Sequence, residues 1–302
     1  MTAKETVGRD RPLERMLLPW VGRLSEGVTR FLLAAALSGA EVMGGHALFG
    51  LALVGVCRPG GQGLAALLGA ALGYLSFWGF VGGLRYIAAA MMTYAVALAL
   101  GEFQIYHCRW FMPLATAALN GLVGFVYQSA AGWTQAGAVG WALEVVLTGA
   151  AVYFFRLAFD LWEQAGPGGH LTLRQITGVV VLGAALMMTL ARVTVADNYA
   201  LGRVLCVAAV LLAGWKGGVG VGATVGVSAG VAMDLAAGTP GVYTVTYALP
   251  GLISGLFVGQ GRMMAALSYL LTGSCVVLWS WAMEAGGSHG YEMAAGVALF
   301  LL

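Results

Sequence analysis

The sequence predicts an all-α, multi-pass membrane bundle of about ten spans, arranged as two five-helix halves. Three observations predict it. Of 302 residues, 60% are hydrophobic and only 9% charged, against about 25% charged in soluble domains, and the mean hydropathy is +0.85. Apolar runs recur along the whole chain, many near the ~20 residues that a spanning helix needs. Finally, Gly217–Gly230 carries no charge and has small residues at spacings of three and four. On a helix, that spacing places them on one stripe, where a second helix can approach closely. In water each such glycine would cost a helix ~1 kcal/mol against alanine. In lipid an unpaired backbone costs far more, so the helix persists. Gly217, Gly218, Gly220, Gly226 and Gly230 are therefore expected to pack helices, not to cradle phosphate. The run lacks the Gly-Lys-Ser/Thr ending of a phosphate loop.

Residues 1–30 read as a cytoplasmic basic tail. Lys4, Arg9, Arg11, Arg15, Arg23 and Arg30 precede the first apolar run, which places this end on the inner side of a membrane. Leu17, Leu18, Val21 and Leu24 share a face, as in a helix lying along the surface. Glu5, Asp10, Glu14 and Glu26 are too acidic for a secretory leader.

The expected spans are Phe31–Cys57, Leu64–Val81, Arg85–Leu100, Phe111–Ala131, Val139–Phe159, Ile176–Arg192, Tyr199–Gly214, Val219–Ala237, Val242–Val258 and Met263–Met283. The first is long and broken by Gly44-Gly45-His46, which fits a kinked span or a re-entrant pair. A loop at 161–175, with Gly166-Pro-Gly-Gly169, separates a first membrane half, 31–160, from a second, 176–302. Pro240 and Pro250-Gly251 read as helix punctuation. The halves share a pattern: Gly60, Ala66, Gly69 and Gly73 recur as Gly217, Ala223, Gly226 and Gly230, a shift of 157 residues. A true duplication with an odd number of spans per half would be inverted, a layout common in transporters. Gly69 and Gly73 accordingly join the expected packing positions. Positive residues in the later loops are spread too evenly to orient the spans. The run Met293–Leu302 is too short to span, and the expectation is a piece of a longer protein.

Ionisable residues inside spans are the natural functional candidates in lipid. Here they are Glu41, Glu144 and Asp234, with Arg85 and Arg156 as cations. Glu144, Asp234, Arg85 and Arg156 lie near expected span ends, where a headgroup contact or an internal pair explains them as well. Glu41 lies mid-run. The four histidines fall in breaks without zinc spacing, the cysteines form no Cys-x-x-Cys pair, and Gly226-Val-Ser-Ala-Gly230 lacks the strand-to-helix turn of a nucleophile elbow. No catalytic or metal residue is expected, nor nucleic acid as a partner.

Several stretches resemble the membrane region of the stage II sporulation protein E family. They are His46-Ala-Leu-Phe-Gly-Leu-Ala, Gly69-Ala-Ala-Leu-Gly-Tyr74, Leu84-Arg-Tyr-Ile-Ala-Ala89, Gly217–Leu235, Tyr247-Ala-Leu-Pro-Gly-Leu-Ile-Ser-Gly-Leu-Phe257 and Gly261-Arg262. The resemblance covers most of residues 30–284. It implies a bacterial plasma-membrane protein whose cytoplasmic C-terminal part is a PP2C-type serine/threonine phosphatase using Mn or Mg. That phosphatase would act on an anti-anti-sigma factor and so release a forespore sigma factor at the polar septum. Through regions outside this chain, the resemblance also implies a tubulin-like division protein as a partner. The chain itself would be the membrane anchor, with the bilayer and further copies of itself as partners. The alternative is a secondary transporter or channel built from two inverted halves.

Overall fold

A computed structural model describes residues 12–164, 173–195, 199–239, 241–282 and 290–302. The basic stretch through Arg11, the Gly-Pro-Gly-Gly loop and the break at 283–289 lie outside the described residues. The helices are α1 (Pro12–Leu37), α2 (Phe49–Val56), α3 (Gly61–Leu100), α4 (Phe111–Ala131), α5 (Gln135–Gln164), α6 (Leu173–Ala191), α7 (Leu201–Ala237), α8 (Val242–Leu256), α9 (Arg262–Ala282) and α10 (Gly290–Leu301). A short antiparallel pair, Thr194–Val195 with Tyr199–Ala200, joins α6 to α7. Four helices are long and apolar enough to cross a membrane: α3, α5 (over Gln135–Asp160), α7 and α9. Large apolar side chains point outward, among them Phe80, Val81, Leu114, Val146 and Leu271, as a lipid-facing surface requires.

Two of the four long helices reverse on themselves. In α3 the reversal is at Gly79, with φ 67° and ψ −176°. In α7 it is at Gly218, with φ 75° and ψ −167°. A Cβ on Gly83 would fall 2.8 Å from the Tyr74 carbonyl oxygen, and one on Gly222 would fall 3.0 Å from the Gly214 Cα. In a straight helix, residues eight or nine apart are ~12–14 Å apart along the axis. Farther from the turn, the Tyr94 hydroxyl donates to the Gly60 carbonyl at 3.1 Å. Each element is thus a hairpin of two arms, each ~25–32 Å long and so close to the hydrocarbon thickness of a bilayer. The expected spans Leu64–Val81 and Arg85–Leu100 are the arms of α3. Tyr199–Gly214 and Val219–Ala237 are those of α7.

Only glycine adopts the hinge conformation cheaply, because a Cβ would crowd the flanking carbonyls. We expect Gly218→Ala to cost about 1–3 kcal/mol, read as a fall in the thermal midpoint in detergent. Gly220 faces open space, and alanine there should be neutral or stabilising.

We call the side where α1 starts basal and the opposite side apical. Gly69 and Gly73 lie against the backbone of Phe31 and Ala35, so α1 and the first arm of α3 run in the same direction. The Gly79 hinge is therefore apical. The end of α6 is apical too: Arg192 Nη1 donates to the Gly39 carbonyl at 3.3 Å. It follows that α7 starts apically and its Gly218 hinge is basal, so the two hairpins point in opposite directions. Two cores result. One gathers α1, α2 and α3 with parts of α5 and α6. The other gathers α7 through α10.

Several expectations are corrected. Residues 12–30 are not separate from the first span, because α1 runs unbroken from Pro12 to Leu37. Of the two readings of Phe31–Cys57, the kinked span is replaced by the re-entrant one: irregular backbone fills 38–48, and α2, eight residues long, carries the chain back toward the basal side. The loop expected at 161–175 is narrower, since helix runs through Gln164 and resumes at Leu173. Pro250 lies inside α8 instead of ending it. Ten helices long and apolar enough to span are not present among the described residues. The 157-residue register also differs from the architecture, because it sets Gly60, the N-cap of α3, against Gly217 beside a hinge. The hinges themselves stand 139 residues apart.

The glycine stripe divides by role. Gly222, Gly226 and Gly230 face α8. A Cβ on Gly222 would fall 2.7 Å from the Gly251 carbonyl oxygen, one on Gly226 2.6 Å from that of Tyr247, and one on Gly230 2.8 Å from the Thr244 nitrogen. Gly218 is the hinge, Gly217 stands beside the Val221 side chain of its own helix, and Gly220 packs against nothing.

Candidate functional site: a buried carboxylate shared by three helices

Glu144 is 1% exposed in the middle of the bundle. Its Oε2 lies 2.8 Å from His46 Nδ1 and accepts from the Arg85 guanidinium. Its Oε1 accepts from Asn120 Nδ2 at 3.2 Å. The same amide reaches Thr148 Oγ1 at 3.0 Å, and the Thr148 hydroxyl donates to the Glu144 carbonyl at 2.7 Å. The second arm of α3, α4, α5 and the irregular stretch before α2 each supply one partner. Taking such a carboxylate from water is costly, and a guanidinium plus two further donors offset that cost.

The local backbone explains why the site sits there. A short helix that begins inside the bundle leaves amides without intrahelical partners, and lipid offers none. Two tyrosines supply them. The Tyr74 hydroxyl accepts from the Leu51 amide at 2.8 Å and donates to the Ala47 carbonyl at 2.7 Å. The Tyr86 hydroxyl accepts from the Ala47 amide at 3.0 Å. Their rings stack with centroids 5.2 Å apart, and the Arg85 guanidinium lies 5.0 Å from the Tyr86 ring centre. His46 is thereby held against Glu144. Three buried polar atoms near this cluster have no protein partner: Arg85 Nε, Asn120 Oδ1 and Thr116 Oγ1.

The remaining acids do not join Glu144. Glu41 pairs with Arg192 at 3.5 Å on the apical side, and Arg192 stacks over Trp78 at 4.9 Å. Asp234 caps α8: its carboxylate accepts from the Tyr243 and Thr244 amides at 2.9 and 2.8 Å. It also accepts from the Thr239 and Thr244 hydroxyls, both at 2.6 Å. Those bonds fill a helix-capping role. A third acid, Glu292, meets Arg203 at 3.4 Å and the Ala200 amide at 3.1 Å. Among the described residues, Glu41, Glu144 and Asp234 thus have separate partners. Arg156 is elsewhere again, in a basal cavity.

His46, Asn120 and Glu292 were not singled out in the sequence. A mid-span asparagine, and a histidine in the break of the longest apolar run, were the available signals. Among the described residues, no group of three His, Cys, Asp or Glu side chains could hold a metal. Scanned against protein-family models, curated proteins and solved structures, the chain matches none of them.

Proposed function

We propose that this chain is a multi-pass module that anchors and assembles a catalytic portion at the cytoplasmic face of a bacterial plasma membrane. In the reading the resemblance implies, that portion is a Mn- or Mg-dependent sporulation phosphatase acting on an anti-anti-sigma factor at the polar septum. One observation carries the anchoring reading. The start of α1 and the end of α10 both point to the basal side, where Arg30, Arg58, Arg109, Arg156, Lys216 and Arg262 also gather. The apical side carries Arg192 and Arg203, each facing a glutamate. Such asymmetry supports a cytoplasmic basal face, and a segment following Leu302 would then be cytoplasmic. Counting the arms of both hairpins with α1, α4, α5, α6, α8 and α9 gives the ten passes of this reading, and α2 and α10 make two shorter returns toward the basal side. The Gly222–Gly230 stripe is already occupied by α8, so self-association would use other outward faces.

The test is a fluorescent protein fused after Leu302 and expressed in sporulating cells. Fluorescence concentrated at the polar septum is expected. Uniform membrane fluorescence would reject septal anchoring, and an active alkaline phosphatase fusion at the same point would reject the orientation.

A transporter is the second reading, favoured by the oppositely directed hairpins and the mid-bundle Glu144 cluster. It predicts proton or solute flux in liposomes that falls on Glu144→Gln. Vesicles as tight as protein-free controls would reject it.

A further inference from the structure

We propose that the basal side holds one anionic phospholipid, its phosphate headgroup among Arg30, Arg58 and Arg156 and its acyl chains along the slot between α1, α5 and α6. The proposal rests on the membrane-embedded reading but not on any cargo or septal role.

Two adjoining cavities define the site. A vestibule of about 480 Å³ is lined by Arg30 from α1, Arg58 from the α2–α3 link and Arg156 from α5, with Tyr106 and His107 across from them. Among the described residues, Asp160 is the acid that lines it. A second cavity of about 890 Å³ shares Arg30, Arg58 and Phe159 with the first. Its wall changes character along its length. Ser25, Glu26, Thr29 and Gln62 lie toward the basal end, while Leu33, Leu182 and Leu186 lie deeper. α1 touches α6 over only a short stretch, which leaves the slot between them.

Charge and polarity together select the occupant. A small soluble anion would be served by the vestibule alone and has no use for an apolar slot. A neutral lipid has no use for three arginines. A phosphate joined to acyl chains uses both, at the depth where headgroup and hydrocarbon meet in the leaflet nearest the start of α1. Basic pockets between helices on a cytoplasmic side bind anionic headgroups in this way. The guanidiniums are held in place for it. Arg30 donates to the Gln62 side chain, which donates in turn to Glu26 at 2.6 Å, and Arg30 lies 5.8 Å from the Phe159 ring centre. Arg156 donates to the Cys108 carbonyl at 3.4 Å. Partial burial pushes the Tyr106 phenol up, so it stays a neutral donor toward a phosphate oxygen.

The full chain in a neutral maltoside detergent, stripped of lipid, is titrated with phosphatidylglycerol, phosphatidylcholine or inorganic phosphate. Bound lipid is counted by native mass spectrometry. Phosphatidylglycerol should bind at one copy and raise the thermal midpoint, and the other two should not. Each Arg→Gln change at 30, 58 or 156 should weaken it about fivefold, taking ~1 kcal/mol per basic residue near an anionic surface. Arg109→Gln, on the same side but outside the cavity, should leave binding unchanged. Equal binding of phosphatidylcholine, or equal stabilisation by inorganic phosphate, would overturn the proposal. So would undiminished binding in Arg58→Gln, an exposed position whose variant should fold. If a variant at 30 or 156 fails to fold, the wild-type titration and Arg58→Gln still decide the matter.

Discussion

Gly226→Leu is expected to abolish the native fold or cost more than about 3 kcal/mol, at or beyond the upper end of overpacking in a close-packed interior. The reason is the neighbour. A Cβ at this position already falls 2.6 Å from the Tyr247 carbonyl oxygen and 2.9 Å from the Ala248 Cα. Both are backbone atoms of α8, which cannot rotate away as a side chain can. Three more carbons would have to push α8 off the second arm of α7. In lipid, nothing but contact packing replaces the lost approach. Gly230→Leu should behave alike, being set against the Thr244 backbone. Expression level, a monodisperse elution profile and the thermal midpoint measure the effect. Normal values for both leucine variants would mean that α7 and α8 do not pack through these positions.

Glu144→Leu should be nearly as damaging, for an electrostatic reason. It leaves the Arg85 guanidinium, 20% exposed, and the His46 ring without their carboxylate. Removing one member of a buried pair costs about 3–5 kcal/mol, because the surviving charge stays desolvated. Removing both is far milder, so Glu144→Leu with Arg85→Leu should recover most of the loss. The reading is a double-mutant cycle on thermal midpoints in detergent. A double variant as unstable as the sum of the singles would mean that the two groups are not coupled.

Much of the architecture was legible because lipid leaves few options. Helix, apolar length and small-residue spacing follow from the need to satisfy the backbone internally, and they located both arms of each hairpin. What could not be read was direction. A residue such as Gly218 looks like another packing glycine until its φ of 75° is known. Likewise, the glycines before an eight-residue apolar helix mark a break without telling a kink from a turn back. Each such turn changes which side a later loop occupies. Most of the basic residues that look evenly scattered along the chain therefore sort onto one face once the reversals are placed, with Arg192 and Arg203 on the other. The polar cluster was half legible for the same reason. Glu144 and Arg85 stood out as charges in apolar runs, but their pairing joins residues 59 positions apart. Pairing at that separation is a property of helix order, not of spacing.

The half-length return made by α2 bears on how the first part of the chain holds together. Eight apolar residues are too few to cross a bilayer, yet α1 and the first arm of α3 on either side of them run in the same direction. Their common direction therefore depends on a segment whose amides its own short helix cannot satisfy. That segment becomes stable only when tyrosines from the following hairpin reach its amides. The return that reverses the chain early is thus fastened by side chains that lie later in the sequence than the helix they secure.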